Sequence, residues 1–391
     1  MIAASQTAGQ LDQLTFREWL WRELSPFPGR GARTARMVVS VVVVTIISMA
    51  LQTPETLLSA YMVLFISKEN ASLTVKTGIG LALGVTIGVA LSMFFFRWTF
   101  DRPELRIPVM AVTVFLGMFL SRAMVLGPLA LAIGFIVAVT QSMAESAPNH
   151  ELIIRALLWA WVSIVYPVVV TVVVNEIMLP EKAVSAKKKM RGKPRRGLFY
   201  TDAFTNPTYV QFALKVTLAA MSCYVFYMGV DWSGIHTAFI TCIFIALEST
   251  AATINKGRLR LAGCLIGGSM GFLSILLLVP QMESIVSLAL LAAFGTTLAG
   301  WVAAGSSRIA YAGLQIGLAF YMCIFQGFAP KPDFTTIRDR LVGIILGLTV
   351  SSIIFFYLWP EHEHTEAPSN ASKTLHANES ASAQKQSGLP Q

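Results

Sequence analysis

Long apolar runs, Met37 to Leu51, Ile79 to Phe96, Leu157 to Val174 and Leu261 to Val279 among them, constrain this chain more than any other feature of its sequence. Several exceed what a buried soluble helix needs and suit a hydrocarbon core about 30 Å thick. In lipid every backbone N–H and C=O must be bonded within the protein, so spans this long and this apolar are expected as helices rather than barrel strands. Composition agrees: 55% of the 391 residues are hydrophobic and 13% charged, against about 25% charged in an ordinary soluble domain.

The net charge of +9 sits between these runs. Arg17, Arg22, Arg30, Arg33 and Arg36 precede the first span, and Lys187, Lys188, Lys189, Arg191, Lys193, Arg195 and Arg196 fill the middle of the chain. The positive-inside rule reads both clusters as cytoplasmic and makes membrane lipid, not nucleic acid, the neighbour of this protein; a lipid or RNA patch in the middle cluster is the lesser reading. Cys223, Cys242, Cys264 and Cys323 fall inside apolar runs with no paired spacing and are expected as small packing residues. The polar start lacks the features of a cleaved signal peptide, so the first span is expected to direct insertion.

Residues 1–36 are expected to form a cytoplasmic segment in which Leu14 to Leu24 lies along the interface as an amphipathic helix. Phe16, Trp19, Leu20 and Leu24 would face lipid, and Arg17, Arg22 and Glu23 water. A first membrane repeat, 37–180, holds spans near 37–51, 57–68, 78–96, 107–121, 124–142 and 152–178. A basic cytoplasmic linker, 181–207, leads to a second membrane repeat, 208–360, with spans near 208–229, 234–247, 261–279, 284–304, 309–327 and 341–358. The tail, 361–391, is rich in Ser, Ala, Asn and Gln and is expected to be disordered in the cytoplasm. The expected fold is an all-α polytopic membrane protein of about 12 transmembrane helices, with both termini cytoplasmic. The outer loop Arg97 to Arg106 fits the charge rule least well.

Sliding the sequence over itself by 179 positions aligns Arg36–Ser92 with the second half without a gap. Phe65 meets Phe244, Glu69 meets Glu248, Thr74 meets Thr253, Gly78 meets Gly257 and Gly88 meets Gly267. Later, Ser121-Arg122 corresponds to Ser307-Arg308. The unit is six spans; because six is even, the two copies enter the membrane in the same orientation. Gly80, Gly84 and Gly88 in the first copy and Gly263, Gly267 and Gly271 in the second form stripes that let helix backbones approach closely.

Catalysis has no support in the sequence: there is no phosphate-binding loop, no metal-binding His or Cys cluster, and no cofactor signature. Chemistry is expected instead where matching spans are unusually short. The second and eighth spans run about a dozen apolar residues before Glu69 and Glu248, whereas a straight crossing needs roughly 20. Two readings stay open for these glutamates: ordinary cytoplasmic loops, or proton-coupling groups whose pKa is raised in a poorly hydrated cavity. Lys68, adjacent to Glu69, makes Glu248 the better candidate. Asn70 and Ser249 beside them, with Arg122 and Arg308 in short turns, are candidates for binding an anionic solute. Arg36 and Lys215 are expected to snorkel to the interface.

The second copy's Ser307-Arg308-Ile-Ala-Tyr-Ala-Gly-Leu-Gln, Gln326-Gly-Phe-Ala-Pro and Ile337-Arg338-Asp-Arg-Leu-Val-Gly-Ile-Ile-Leu-Gly347, with Leu358-Trp359-Pro360, resemble the fusaric acid resistance (FUSC) and aromatic acid exporter superfamily. The first copy's Pro28-Gly29-Arg30 through Arg33-Thr-Ala-Arg36 resembles the start of MdtO-type efflux components. The resemblance implies efflux of aromatic acids or drugs across the bacterial inner membrane, with a periplasmic adaptor and an outer-membrane channel as partners. Larger members carry a sizeable cytoplasmic domain between the membrane halves, where this chain has only the short linker. A passive organic-anion channel and a membrane scaffold without transport remain the alternatives.

Overall fold

A computed structural model describes residues 15–144, 149–178, 195–246, 250–325 and 334–359. Each expected apolar segment forms a helix. In chain order they are α1 (Phe16–Leu24), α2 (Arg30–Ala50), α3 (Thr56–Ile66), α4 (Ala71–Thr99), α5 (Pro103–Ala123), α6 (Gly127–Met143) and α7 (His150–Met178). They continue as α8 (Pro207–Gly229), α9 (Thr237–Ile245), α10 (Thr250–Leu277), α11 (Ile285–Ala303), α12 (Ala310–Ile324) and α13 (Phe334–Tyr357). Helix starts follow local chemistry. Pro103 and Pro207 stand in first turns, where a missing N–H costs no intrahelical bond. Asn206 caps α8 by accepting the Thr208 N–H at 3.0 Å.

Eight of these helices, α2, α4, α5, α7, α8, α10, α11 and α13, are long and apolar enough to cross a membrane. The other four apolar helices are shorter: α3, α6, α12, and α9 with the 3-10 turn Ser233–His236 ahead of it. With 11 residues, α3 rises only about 16 Å at 1.5 Å per residue, roughly half the hydrocarbon thickness. His236 ends the 3-10 turn that leads into α9.

Packing follows a regular scheme. From α2 to α7, α2 packs on α3 and α7, α3 on α7, α4 on α6 and α7, and α5 on α6. From α8 to α13, α8 packs on α9 and α13, α9 on α13, α10 on α12 and α13, and α11 on α12. The two sets are joined crosswise, α11 on α2 and α5 on α8, with α12 also against α3. The apolar cores are shared accordingly. One combines Met110, Val114 and Met118 with Val216, Tyr224 and Phe239; another combines Met37, Val44 and Leu64 with Leu291, Ile316 and Phe320. Residues up to Leu358 consequently pack as one unit, without a separate body for each half.

Two expectations are corrected, and the cysteines are buried and free as expected. The charged segment Arg97–Arg106 is not an open loop: α4 runs to Thr99, α5 starts at Pro103, and Arg106 is buried, donating to the Phe100 carbonyl at 3.4 Å. The end of the expected linker is docked, not free. Arg195–Arg196 pairs with Phe199–Tyr200 in a short antiparallel hairpin, the Val125 N–H donates to the Leu198 carbonyl at 2.9 Å, and Tyr209 donates to Asp202 at 2.9 Å. Among the cysteines, all four are buried and free, but Cys223 and Cys242 lie 3.5 Å apart on α8 and α9, a proximity that their spacing in the chain did not signal. Residues 1–14, the basic run 187–193, the Gln326–Pro330 motif and the tail from residue 360 lie outside the described residues.

Candidate functional site

The helix of the second expected span is interrupted ahead of Glu69. Helix α3 ends at Ile66 and α4 begins at Ala71. The Thr74 hydroxyl accepts the Lys68 N–H at 3.0 Å, and Ser67 turns its own hydroxyl back to the Val63 carbonyl. Two arginines of α2 hold the freed carbonyls: Arg33 donates to Ser67 at 3.0 Å and Arg36 to Glu69 at 3.4 Å. Irregular backbone in a helical bundle is tolerated where protein groups satisfy it, which is what these guanidiniums do.

The side chains of Glu69 and Asn70 are exposed beside this break. Lys68 sends its ammonium to the Phe65 carbonyl at 3.0 Å rather than to Glu69. Glu248 and Ser249 lie outside the described residues. Arg36 and Lys215 do not snorkel. They are only 4% and 6% exposed, Arg36 on the break and Lys215 with its ammonium 5.4 Å from the Phe355 ring centre. Both face protein because the helices beside them, α3 and α13, close over that side of the bundle.

Arg122 belongs to the last turn of α5, not to a loop, and its guanidinium lies 4.3 Å from the Phe212 ring centre on α8. Arg308 is exposed in the turn before α12. Five of the six stripe glycines meet another helix. Gly84 and Gly88 face Leu129, Ala132 and Ile136 of α6, and Gly263, Gly267 and Gly271 lie against α12 between Ala312 and Cys323. Gly80 faces open space; its place is taken by Gly78, against Val168 of α7.

The sequence reading missed a group of cations in the bundle, one buried, Arg260, and two half-buried, Lys256 and Arg340. Lys256 and Arg260 lie one turn apart on α10, and Arg340 is on α13. Arg260 is 3% exposed and donates to the Tyr311 hydroxyl of α12 at 3.2 Å. The Lys256 ammonium is 5.0 Å from the centre of the same tyrosine ring, and Arg122 is within electrostatic range of it. Tyr61 of α3 is half-buried and within electrostatic range of Tyr311, Arg260, Arg340 and Cys264. These residues escaped notice because spans were begun where hydropathy rises, at 261 and 341, whereas α10 begins at Thr250 and α13 at Phe334. The available signal was three cations, Lys256, Arg258 and Arg260, replacing Thr77, Ile79 and Leu81 of the aligned first copy. Among the described residues no group of three or more His, Cys, Asp or Glu is placed to hold a metal. Guanidinium and ammonium groups next to phenols instead suit a carboxylate.

Comparison with known proteins bears out the resemblance. Residues 216–354 match the family described as fusaric acid resistance protein-like. The chain is also similar to the multidrug resistance protein MdtO of Escherichia coli K12 and to that of Shigella flexneri, in each case 39% identical over 175 residues. Those residues are 44% of this chain and 26% of the relative, so the match spans about a quarter of the relatives' length. No solved structure matches.

Proposed function

We propose that this chain, with its fusaric acid resistance protein-like second half, is an inner-membrane efflux transporter for aromatic or other organic acids or drugs. In this reading the proton gradient drives it, and it passes its solute to a periplasmic adaptor and an outer-membrane channel. The observation that carries the reading is the packing scheme. The six main helix pairings within α2–α7 each have a counterpart within α8–α13, and the two sets are joined crosswise through α2 on α11 and α8 on α5. Two like six-helix sets facing each other across one seam are the arrangement in which rocking of one set against the other exposes a central site alternately to either side. The name of the relatives, multidrug resistance protein, supports organic solutes as the cargo.

Proton coupling is assigned to Glu248, with Glu69 in the lesser role, since Glu69 is exposed at its break. Asn70, Ser249, Arg122 and Arg308 remain the solute-contact candidates from the sequence. The passive organic-anion channel is the second reading, favoured by the buried Arg260 with the half-buried Lys256 and Arg340 near it. Everted membrane vesicles separate the two. An exporter accumulates benzoate against its gradient when respiration acidifies the lumen and stops on addition of a protonophore. A channel equilibrates it with or without the protonophore, and a scaffold does neither.

A further inference from the structure

One face of α10 carries Lys256, Arg260, Cys264 and Gly268 at every fourth position, a strip about 18 Å long at 1.5 Å per residue. At its far end Cys264 and Gly268 line a small cavity with Ala319 and Met322 of α12 and Arg340 and Leu341 of α13. The cavity holds about one water, so the structure is closed around it. The aligned positions of the first half are Thr77, Leu81, Val85 and Val89, and three of these belong to or pack on an apolar core. The first half adds Tyr61, and Arg122 beside Lys256.

Among the described residues, none of Lys256, Arg260 and Arg340 is ion-paired. The groups acting most strongly on Arg260 are Tyr311, Cys264 and Tyr61, and its Nε has no hydrogen-bond partner. Arg340 leaves Nε and Nη2 unpartnered, and the neighbouring carboxylate of Asp339 is bonded to Arg338 at 2.8 Å. A buried charge without a counter-ion is costly, and such residues inside a membrane bundle mark a solute pathway. Tyrosine hydroxyls soften that cost without neutralising the charge.

We propose that Lys256, Arg260 and Arg340, with Tyr61 and Tyr311 beside them, form a single carboxylate-binding site in the seam, its cations supplied by the second half alone. It rests on the efflux reading only in requiring the seam to open. Arg260 engages the carboxylate, and Lys256 and Arg340 extend the positive strip on either side. The two phenols supply hydroxyl donors and ring faces for an organic anion of about the size of benzoate.

The test uses the purified full chain in lipid nanodiscs with radiolabelled benzoate, and benzamide as its uncharged counterpart. Wild type should bind benzoate saturably and ignore benzamide. Arg260→Gln should weaken binding by about tenfold or more, the loss of a charge-assisted hydrogen bond, and Arg260→Lys less. Lys256→Gln and Arg340→Gln should each weaken it severalfold, and Arg258→Gln, on the exposed side of α10, should leave it unchanged. A second readout separates binding from structure: without benzoate, Arg260→Gln should unfold at the same or a higher temperature than wild type, because it removes an unpaired buried charge. If that variant does not fold, Lys256→Gln and Arg340→Gln decide. Wild type that binds no benzoate, or binding unaltered in these variants while cells still export acids, overturns the site and leaves the efflux reading standing. Binding as described in a chain that exports nothing overturns the efflux reading and leaves the site.

Discussion

Arg30 and Trp301, 271 residues apart, are joined twice over. The Arg30 Nε and Nη2 both donate to the Trp301 carbonyl, at 2.9 and 2.7 Å, while the guanidinium lies 4.7 Å from the centre of the indole ring. The same arginine, 1% exposed, donates to the carbonyls of Glu23 and Ser25, and the Trp301 indole N–H donates to the Leu24 carbonyl at 3.0 Å. One side chain thus fastens the end of α1 and the start of α2 to the end of α11. Arg30→Ala should lower stability by about 3 kcal/mol, since it strands several carbonyls at once. Arg30→Lys should recover only part, because an ammonium lacks the planar fork. Thermal unfolding in detergent measures both; an Arg30→Ala midpoint equal to wild type would remove the fastening role.

The amphipathic helix α1 begins with a local device. The Glu18 carboxylate accepts from the Thr15 hydroxyl at 2.7 Å and from the Thr15 N–H at 3.0 Å. These bonds, the hydroxyl first, hold Glu18 below the ordinary carboxylate range. The lowered value means the stabilisation is fully present above the unfolded pKa and is lost as pH falls through the folded one. Protection from hydrogen exchange at the start of α1, taken relative to the intrinsic rate at each pH, should therefore fall on acidification below about pH 4.5. Glu18→Gln should show low protection at neutral pH too, and a variant whose protection still rises with pH through that range would disprove the device.

Glycines at one spacing should tolerate substitution unequally. A methyl on Gly267 would run into the Ile316 carbonyl of α12, whereas one on Gly80 meets nothing within 4 Å. Gly267→Ala should cost about 1–3 kcal/mol through overpacking. Gly80→Ala should be neutral or stabilising by up to about 1 kcal/mol from helix propensity. Equal unfolding midpoints for the two variants would show that α10 and α12 do not depend on their close approach.

Replacing Glu248 with Gln should abolish gradient-driven efflux while leaving expression and insertion intact, because Gln keeps the shape but cannot titrate. Glu69→Gln should reduce efflux less, as Glu69 is exposed with its carbonyl already held by Arg36. Unchanged pH dependence of transport in Glu248→Gln would return both glutamates to ordinary loop residues.

Reporter fusions at Ser185 and Ser382 should both give cytoplasmic signals, given the arginine-rich start and the basic middle segment. A periplasmic signal at either position would require an odd number of spans in one half.

Apolar runs and their spacing were enough to determine that the chain is a helical bundle for lipid, and the 179-residue offset paired Glu69 with Glu248; the helix break beside Glu69 came from the structure. Those properties are local: a run of apolar residues must satisfy its own backbone wherever it sits, and Ser67 to Asn70 interrupt such a run. Burial of charge is not local. Arg36 and Lys215 looked like interfacial side chains, and Lys256 and Arg260 like loop cations, because hydropathy reports the composition of a stretch and not what packs over it. Only the tertiary structure, by laying α12 and α13 along α10 and α13 over α8, decided that these cations face protein. It also decided that the two halves share their cores, since shared burial arises from helices far apart in the chain, such as α2 and α11, and from shape at their contact rather than from any residue alone.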